Sequence, residues 1–162
     1  MLVVSDTSPL NYLVLIGAID VLPQLFRDIH APIQVLNELA HTRAPEVVRA
    51  WVEKPPIWLH ISTPRIEHPL PLRLHPGEAA AIALAEELQA SSVLIDERKG
   101  RRVAEQLGFE AISTLTVLEF AAERGLLELR PALDALRQTT FYISDEYITA
   151  ALARDAAKRK GK

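Results

Sequence analysis

Cysteine is absent from this chain of 162 residues, and there are only six glycines and one methionine. The lack of cysteine excludes a disulfide scaffold, a thiolate zinc site and a thiol nucleophile, and it fits a reducing cytoplasm. No uncharged segment reaches the roughly 20 residues that span a bilayer. The longest early one, residues 7–19, contains Pro9 and Gly17. The amino terminus lacks a basic segment and carries Asp6, so we expect neither a signal peptide nor a membrane anchor.

Hydrophobic residues make up 49% of the chain and charged residues 24%. These values are close to those of globular proteins, so the composition excludes disordered and fibrous classes. The length suits one domain, with a core over about residues 1–125 and helices over about 130–160. Six of the 11 prolines lie within residues 55–76. We interpret that segment as a stiff connection inside a single domain of residues 1–162.

The charge is unevenly distributed along the chain. Residues 154–162 hold five of the 18 basic side chains and one of the 21 acidic ones, so the rest carries 13 basic and 20 acidic groups, a net charge of −7. An acidic body argues against binding nucleic acid by bulk charge. The basic tail is interpreted as a frayed, solubilising end, or as a contact for RNA or a partner. A second basic group is formed by Arg98, Lys99, Arg101 and Arg102. It is either a solvated helix face or a surface that binds phosphates.

Short apolar segments alternate with helical patterns. Strands are predicted over residues 2–5, 28–30, 58–62, 91–96 and 110–113. Helices are predicted from residue 9, and over residues 21–26, 32–41, 45–52, 76–89, 97–107, 114–124, 130–138 and 145–159. This alternation predicts an α/β fold with a mostly parallel, buried sheet covered by helices on both faces.

Polar residues next to these segments suggest where the helices begin and end. Ser8, Thr114 and Ser144 are the predicted N-caps of the helices that follow them. Gly108 and Gly125 are the predicted helix ends.

Two of the predicted strands lead into an aspartate, Asp6 and Asp96. Because the carboxyl ends of parallel strands share one edge of a sheet, these side chains are expected to lie together. Glu78 stands at the start of an apolar helix and Glu38 on the helix after the second strand. Converging carboxylates repel one another, and a hard divalent cation such as Mg²⁺ or Mn²⁺ relieves the repulsion. Its bound waters would supply a nucleophile for phosphate chemistry.

Ordinary structural roles account for the same residues. Thr7, Ser8 and Thr114 are hydroxyl candidates for orienting water or phosphate oxygens, but Asp6 and Asp96 could be helix caps, with Arg98 as a salt partner of Asp96. Glu78 could simply favour a helix N-terminus, and Glu38 could be an exposed helix residue. The five histidines, His30, His41, His60, His68 and His75, show no paired metal spacing. Trp51 and Trp58 are interpreted as core residues.

Three sequence blocks resemble the PIN-domain superfamily, and most closely a branch of short prokaryotic proteins related to VapC-type toxins. They are VVSDTSPLNYL, LHPGEAAAIALA and LIDERKGRRVAEQLG, and the closing FYISDEYITAAL is similar to the last helix of that branch. The resemblance implies a three-layer α/β/α sandwich and Mg²⁺- or Mn²⁺-dependent cleavage of RNA. It further implies a small antitoxin partner and a homodimer.

The resemblance places the family's acidic residues on this chain. The first acid falls on Asp6, with Thr7 and Ser8 as its hydroxyl neighbours, and Glu38 falls in the region of the second. Glu78 stands in the third position, where the toxin relatives commonly carry aspartate. Asp96 ends the strand that brings in the fourth acid, and whether Asp96 or Glu97 faces the site is left open.

The sequence therefore leads to a hypothesis of a cytoplasmic, metal-dependent endoribonuclease, the toxin of a toxin–antitoxin pair. Asp6, Glu38, Glu78 and Asp96 would hold the metal, and Thr7 or Thr114 would position the attacking water. Ser8, Arg98, Lys99, Arg101 and Arg102 would contact RNA. The alternatives are a non-catalytic module that binds RNA or protein and, ranked last, a phospho-acceptor receiver domain.

Overall fold

A computed structural model describes residues 1–65 and 74–161. His68, and the part of the proline-rich segment between residues 66 and 73, lie outside the described residues. In the described part, a five-stranded sheet has the order β3-β2-β1-β4-β5, and every pair of neighbouring strands is parallel. The strands are β1 (Leu2–Ser5), β2 (Asp28–Pro32), β3 (Leu59–Ser62), β4 (Ser92–Leu94) and β5 (Glu110–Ile112).

Nine α-helices lie in the described part of the chain. They are α1 (Thr7–Leu15), α2 (Leu22–Leu25), α3 (Ile33–Leu39), α4 (Glu46–Glu53), α5 (Pro76–Leu88), α6 (Arg98–Gln106), α7 (Thr114–Glu123), α8 (Leu129–Arg137) and α9 (Asp145–Lys160). A short 3₁₀ turn, Ile19–Val21, precedes α2. Helix α6 is closed by Gly108 at φ +91°, and α7 by Gly125 at φ +72°, as the sequence predicts.

Two hydrophobic cores lie on opposite faces of the sheet. On one face, Val3, Ile29 and Leu94 pack against α1, α2, α3, α4, α7, α8 and α9. On the other face, Val4 and Val93 pack against α5 and α6. This separation follows from the pleat, because neighbouring residues of a strand point to opposite faces. The predicted three-layer α/β/α sandwich is confirmed.

The C-terminal helix α9 is docked on the body of the protein. Ser144 caps it as predicted, its Oγ accepting the Tyr147 N–H at 3.1 Å. Arg154 forms an ion pair with Glu119 of α7 at 2.8 Å, and Lys158 forms one with Glu123 at 2.9 Å. The expectation of a frayed tail is therefore wrong for residues 154–160, because partners on α7 hold this segment.

Trp51 and Trp58 are partly buried and pack against the larger core, with ring centroids 6.4 Å apart, so they flank the core rather than lie within it. No single described helix is long and apolar enough to cross a membrane.

Candidate active site

The strand ends that precede Asp6 and Asp96 meet at one edge of the sheet. The Asp6 N–H donates to the Leu94 carbonyl at 2.9 Å, and the Ile95 N–H donates to the Ile112 carbonyl at 2.9 Å. These bonds extend the β1–β4 and β4–β5 pairings past the last strand residues. The side chains that follow the three strands are thereby brought to a common edge.

A cleft of about 290 Å³ opens at this edge. All four carboxylates singled out from the sequence line it, together with Thr7 and Ser8. The complete lining is Asp6, Thr7, Ser8, Asn11, Tyr12, Glu38, His75, Glu78, Asp96 and Glu97. Asp96 and Glu97 both line the cleft, which answers the question of which of the two faces it. We call this the acid cleft.

Asp6 occupies the N-cap position of α1 but makes no side-chain capping bond. Its side chain is only 5% exposed, and Oδ1 has no hydrogen-bond partner within the described residues. Burial raises the pKa of Asp6 to about 7, opposed by the Thr7 N–H and reinforced by the charges of Glu78, Glu38 and Asp96. Within residues 1–65 and 74–161, Asp6 is thus a buried carboxylate with no ion-pair partner.

Asp96 is held by three donors. Ser8 Oγ and Thr114 Oγ1 each donate to Oδ2 at 2.7 Å, and the Thr114 N–H donates to Oδ1 at 2.7 Å. The predicted N-cap role of Ser8 is wrong, because α1 begins at Thr7 and the Ser8 hydroxyl is directed to Asp96. No ion pair between Asp96 and Arg98 occurs in the described structure, so three neutral donors orient this carboxylate.

Thr114 is fully buried and begins α7. The N-cap is Ser113, whose Oγ accepts the Thr116 N–H at 3.2 Å, so the predicted capping role of Thr114 is wrong by one residue. Because the Thr114 hydroxyl donates to Asp96, this residue positions a carboxylate rather than a molecule in the cleft.

Glu38 is half-buried and hydrogen bonded, so the simple interpretation as an exposed helix residue is wrong. Oε2 accepts the Thr7 hydroxyl, and Oε1 accepts the Gly77 N–H at 3.0 Å. Thr7 follows β1, and Gly77 lies in the first turn of α5. The carboxylate therefore links three helices around the cleft.

Glu78 lies in the first turn of α5 and is 3% exposed. Oε1 accepts the His75 N–H at 3.1 Å, whereas Oε2 is buried and has no partner within the described residues. Burial raises the pKa of Glu78, and the His75 N–H opposes this effect. Glu78 thus performs the helix-terminal role considered from the sequence and also leaves one oxygen free beside the cleft.

The donor set is chemically suited to a hard divalent cation. No three His, Cys, Asp or Glu side chains in residues 1–65 and 74–161 are arranged so that they enclose an ion. However, two buried carboxylate oxygens, Asp6 Oδ1 and Glu78 Oε2, have no hydrogen-bond donor among the residues that the structure describes. Mg²⁺ and Mn²⁺ prefer such oxygen ligands and retain several waters, so they do not require an all-protein cage.

The predicted basic group lies on α6, which begins directly after Glu97. Arg98, Lys99 and Arg102 are exposed, while Arg101 is half-buried and its Nε has no partner in the described part of the chain. Cations thus lie on the helix next to the acid cleft, where they can face a polyanion.

The comparison with known families agrees with this arrangement. A family model described as a PIN domain matches residues 2–157. The chain belongs to the PIN-domain family. PIN domains are generally nucleases that act on nucleic acid, and they typically use divalent metals. No curated protein matches this PIN domain.

Several residues of this PIN domain's cleft escaped the sequence interpretation. Asn11 and Tyr12 lie on α1 one turn beyond Thr7 and Ser8, so helical spacing from the hydroxyl pair could have found them. The sequence gives His75 no functional role, but this exposed residue lines the cleft. Gly77 gave no signal of its own, since its role depends on Glu38, which is 39 residues away.

Proposed function

We propose that this PIN domain is a divalent-metal-dependent endoribonuclease and the toxin of a toxin–antitoxin pair. The observation that carries the proposal is the pair of buried, unpartnered carboxylate oxygens, Asp6 Oδ1 and Glu78 Oε2, at the acid cleft. Leaving two such oxygens without donors is unfavourable for charged carboxylates, which must either take up a proton or be neutralised by a cation.

The four carboxylates have different roles in the proposed site. Asp6 and Glu78 would hold Mg²⁺ or Mn²⁺ directly, with Asp96 and Glu38 completing the set. A bound cation supplies Lewis-acid stabilisation of the negative charge that develops on a phosphodiester during hydrolysis.

The remaining residues of the cleft fix the carboxylates. Ser8 and Thr114 hold Asp96 in one orientation, and Thr7 and Gly77 do the same for Glu38. Such donors keep ligands in place and so reduce the reorganisation that metal binding requires. Thr7 also lines the cleft, where its hydroxyl is available to a water molecule next to Glu38.

The substrate would be held by the basic surface of α6. Four carboxylates repel a phosphate backbone, so RNA binding needs cations nearby. Arg98, Lys99 and Arg102 are exposed there, and Ser8 lies within the cleft. RNA as the substrate, the antitoxin partner, the homodimer and a cytoplasmic location are supported by the resemblance of three sequence blocks to VapC-type toxins.

Cleavage of single-stranded RNAs of varied sequence by the purified protein tests this proposal. With Mn²⁺ or Mg²⁺ we expect internal cleavage that EDTA stops and that Asp6→Asn reduces by at least about 100-fold, the scale expected when a group that stabilises the transition state is lost. Asp134→Asn, at an exposed position on α8, is the matched control and should cleave like the wild type. Intact RNA at all metal concentrations would contradict the proposal.

A second candidate is a non-catalytic module that binds RNA or protein. It is favoured by the absence, in the described residues, of three side chains arranged to enclose an ion. Calorimetric titration with Mn²⁺ separates the two functions, because a pure binding module has no need of a cation at Asp6. Metal binding that Asp6→Asn removes, together with cleavage, supports the nuclease; RNA binding with neither supports the module.

A further inference from the structure

Gly100 is an unusual residue for its place in the fold. It lies in the first turn of α6 and is buried, although glycine is among the poorest helix formers. The dihedral angle φ of Gly100 is not in the left-handed region, where only Gly17, Gly108 and Gly125 of the described glycines lie. Backbone conformation therefore gives no reason for glycine at this position, and the reason must be space.

The space is occupied by the carboxylate of Glu78. A Cβ added at Gly100 would lie 2.5 Å from Glu78 Oε2 and 2.6 Å from Ile95 Cδ1, closer than non-bonded atoms approach. Glu78 is buried and its other oxygen is bonded to the His75 N–H, so its carboxylate has little freedom to turn away. An alanine at this position would have to displace the carboxylate, the Ile95 side chain or α6.

The same relation recurs at the second glutamate of the cleft. A Cβ at Gly77 would lie 2.7 Å from both carboxylate oxygens of Glu38. Glu78 and Glu38 therefore each end against a glycine of another helix.

We infer that Gly100 is a positioning residue for Glu78, and that it is the structural condition for having glutamate rather than aspartate at position 78. Glutamate is one methylene longer, and the vacant side-chain position of Gly100 accommodates that extra length. The inference rests on the proposed function in so far as Glu78 binds the cation.

A double-mutant cycle between Gly100→Ala and Glu78→Asp tests the inference, with Mn²⁺ affinity measured by calorimetry. Gly100→Ala alone should weaken Mn²⁺ binding by about 10- to 100-fold, the range found when groups that orient metal ligands are changed. In the Glu78→Asp background the same change should have little further effect, because the shorter carboxylate leaves room for the new methyl group. Gly161→Ala, whose Cβ would meet only backbone oxygens at 3.7 and 3.8 Å, is the matched control.

Thermal unfolding without metal gives a second readout of the same cycle. Gly100→Ala should lower the midpoint in the wild type and lower it much less, or raise it, in the Glu78→Asp background. The cycle is repeated in the Ile95→Val background. This substitution removes Ile95 Cδ1, the other atom that the new Cβ would contact, so the coupling that is measured is the one with Glu78. If Gly100→Ala does not fold, folding of the double variant supports the inference and failure of both overturns it.

Equal effects of Gly100→Ala in both backgrounds would overturn the inference. Failure of the proposed function has a different signature: the wild type would bind no Mn²⁺, while the unfolding midpoints would still show whether Gly100 and Glu78 are coupled.

Discussion

Asp6 illustrates how burial affects a single carboxylate of the acid cleft. Its carboxylate is nearly fully buried, one oxygen lacks a partner in the described structure, and four other acids line the same cleft. With no cation bound, the charged form is disfavoured and the pKa rises to about 7.

The raised pKa of Asp6 predicts an unusual dependence of stability on pH. The folded protein holds this proton up to about pH 7, whereas the unfolded chain releases it near 3.8. The stabilisation is thus complete below 3.8 and is lost as the pH rises through about 7. Asp6→Asn should remove this loss, making the metal-free variant more stable than the wild type above that pH by at most about 4 kcal/mol.

Urea denaturation in EDTA over a series of pH values measures this difference. The quantity to compare is the free energy of unfolding of Asp6→Asn minus that of the wild type. Other groups titrate in both proteins, so their contributions cancel in this difference. Asp134→Asn, at an exposed position, should show no such trend. A difference that is constant across the range would show that Asp6 ionises normally.

The acidic residues of the cleft could be predicted from the sequence, but the groups that donate hydrogen bonds to them could not. Asp6 and Asp96 follow buried strands, so a parallel sheet predicts that they lie at one edge. Ser8 was misassigned because a local capping pattern competes with a partner 88 residues away. Thr7 and Glu38 are 31 residues apart, and no local periodicity predicts such a bond.

At the scale of elements, Glu119 on α7 anchors α9. It accepts the Tyr147 hydroxyl at 2.6 Å and two Arg154 nitrogens at 2.8 and 3.1 Å. Burial alone would raise the pKa of Glu119, but the donors from Arg154 and Tyr147 outweigh it and lower that pKa. This contribution to stability is present at neutral pH and is lost as the pH falls through the lowered pKa.

Tyr147→Phe should therefore destabilise the protein by about 1 to 2 kcal/mol, since it removes one hydrogen bond to a charged, partly buried acceptor. Chemical denaturation at neutral pH measures the loss. Tyr142→Phe is the matched control, because Tyr142 is 84% exposed, and it should be close to neutral. Equal effects of the two substitutions would show that the Glu119 contact contributes nothing.

The order of the elements was predictable because short apolar strand patterns alternate with helical patterns along the chain. The predicted ends of the elements differ from the observed ones by a residue or two. At the N-terminus of α7, for example, Ser113 and Thr114 are both good capping residues. The docking of the basic tail was missed because composition describes a segment and not its partners on α7.

At the scale of the whole molecule, sheet order distinguishes the possible folds. A receiver domain has strand order 2-1-3-4-5, whereas this sheet has β1 at the centre in the order β3-β2-β1-β4-β5. Alternation of strands and helices is common to both, so the sequence pattern could not separate them. The three sequence blocks that resemble the PIN-domain superfamily could separate the two folds, because they carry the acidic residues at specific positions.

Metal binding should stabilise the whole fold, since the unfolded chain has no assembled cleft. At 100 times its dissociation constant, a cation that binds only the folded state adds about 2.7 kcal/mol. We expect Mn²⁺ to raise the melting temperature of the wild type and to leave Asp6→Asn unchanged. Scanning calorimetry at matched ionic strength measures this. If Mn²⁺ also raises the melting temperature of Asp6→Asn, the ion binds at another site.

The wide separation of the acid-cleft residues along the chain has a consequence for synthesis. The strand pairing that brings Asp96 beside Asp6 involves β4, and the Thr114 bonds to Asp96 come from the helix after β5. A ribosome must therefore synthesise the chain from β1 through the start of α7 before these groups can meet. A nascent or truncated product that ends before β4 would carry Asp6 and Glu38 without Glu97 or Asp96, so it could not form the acid cleft.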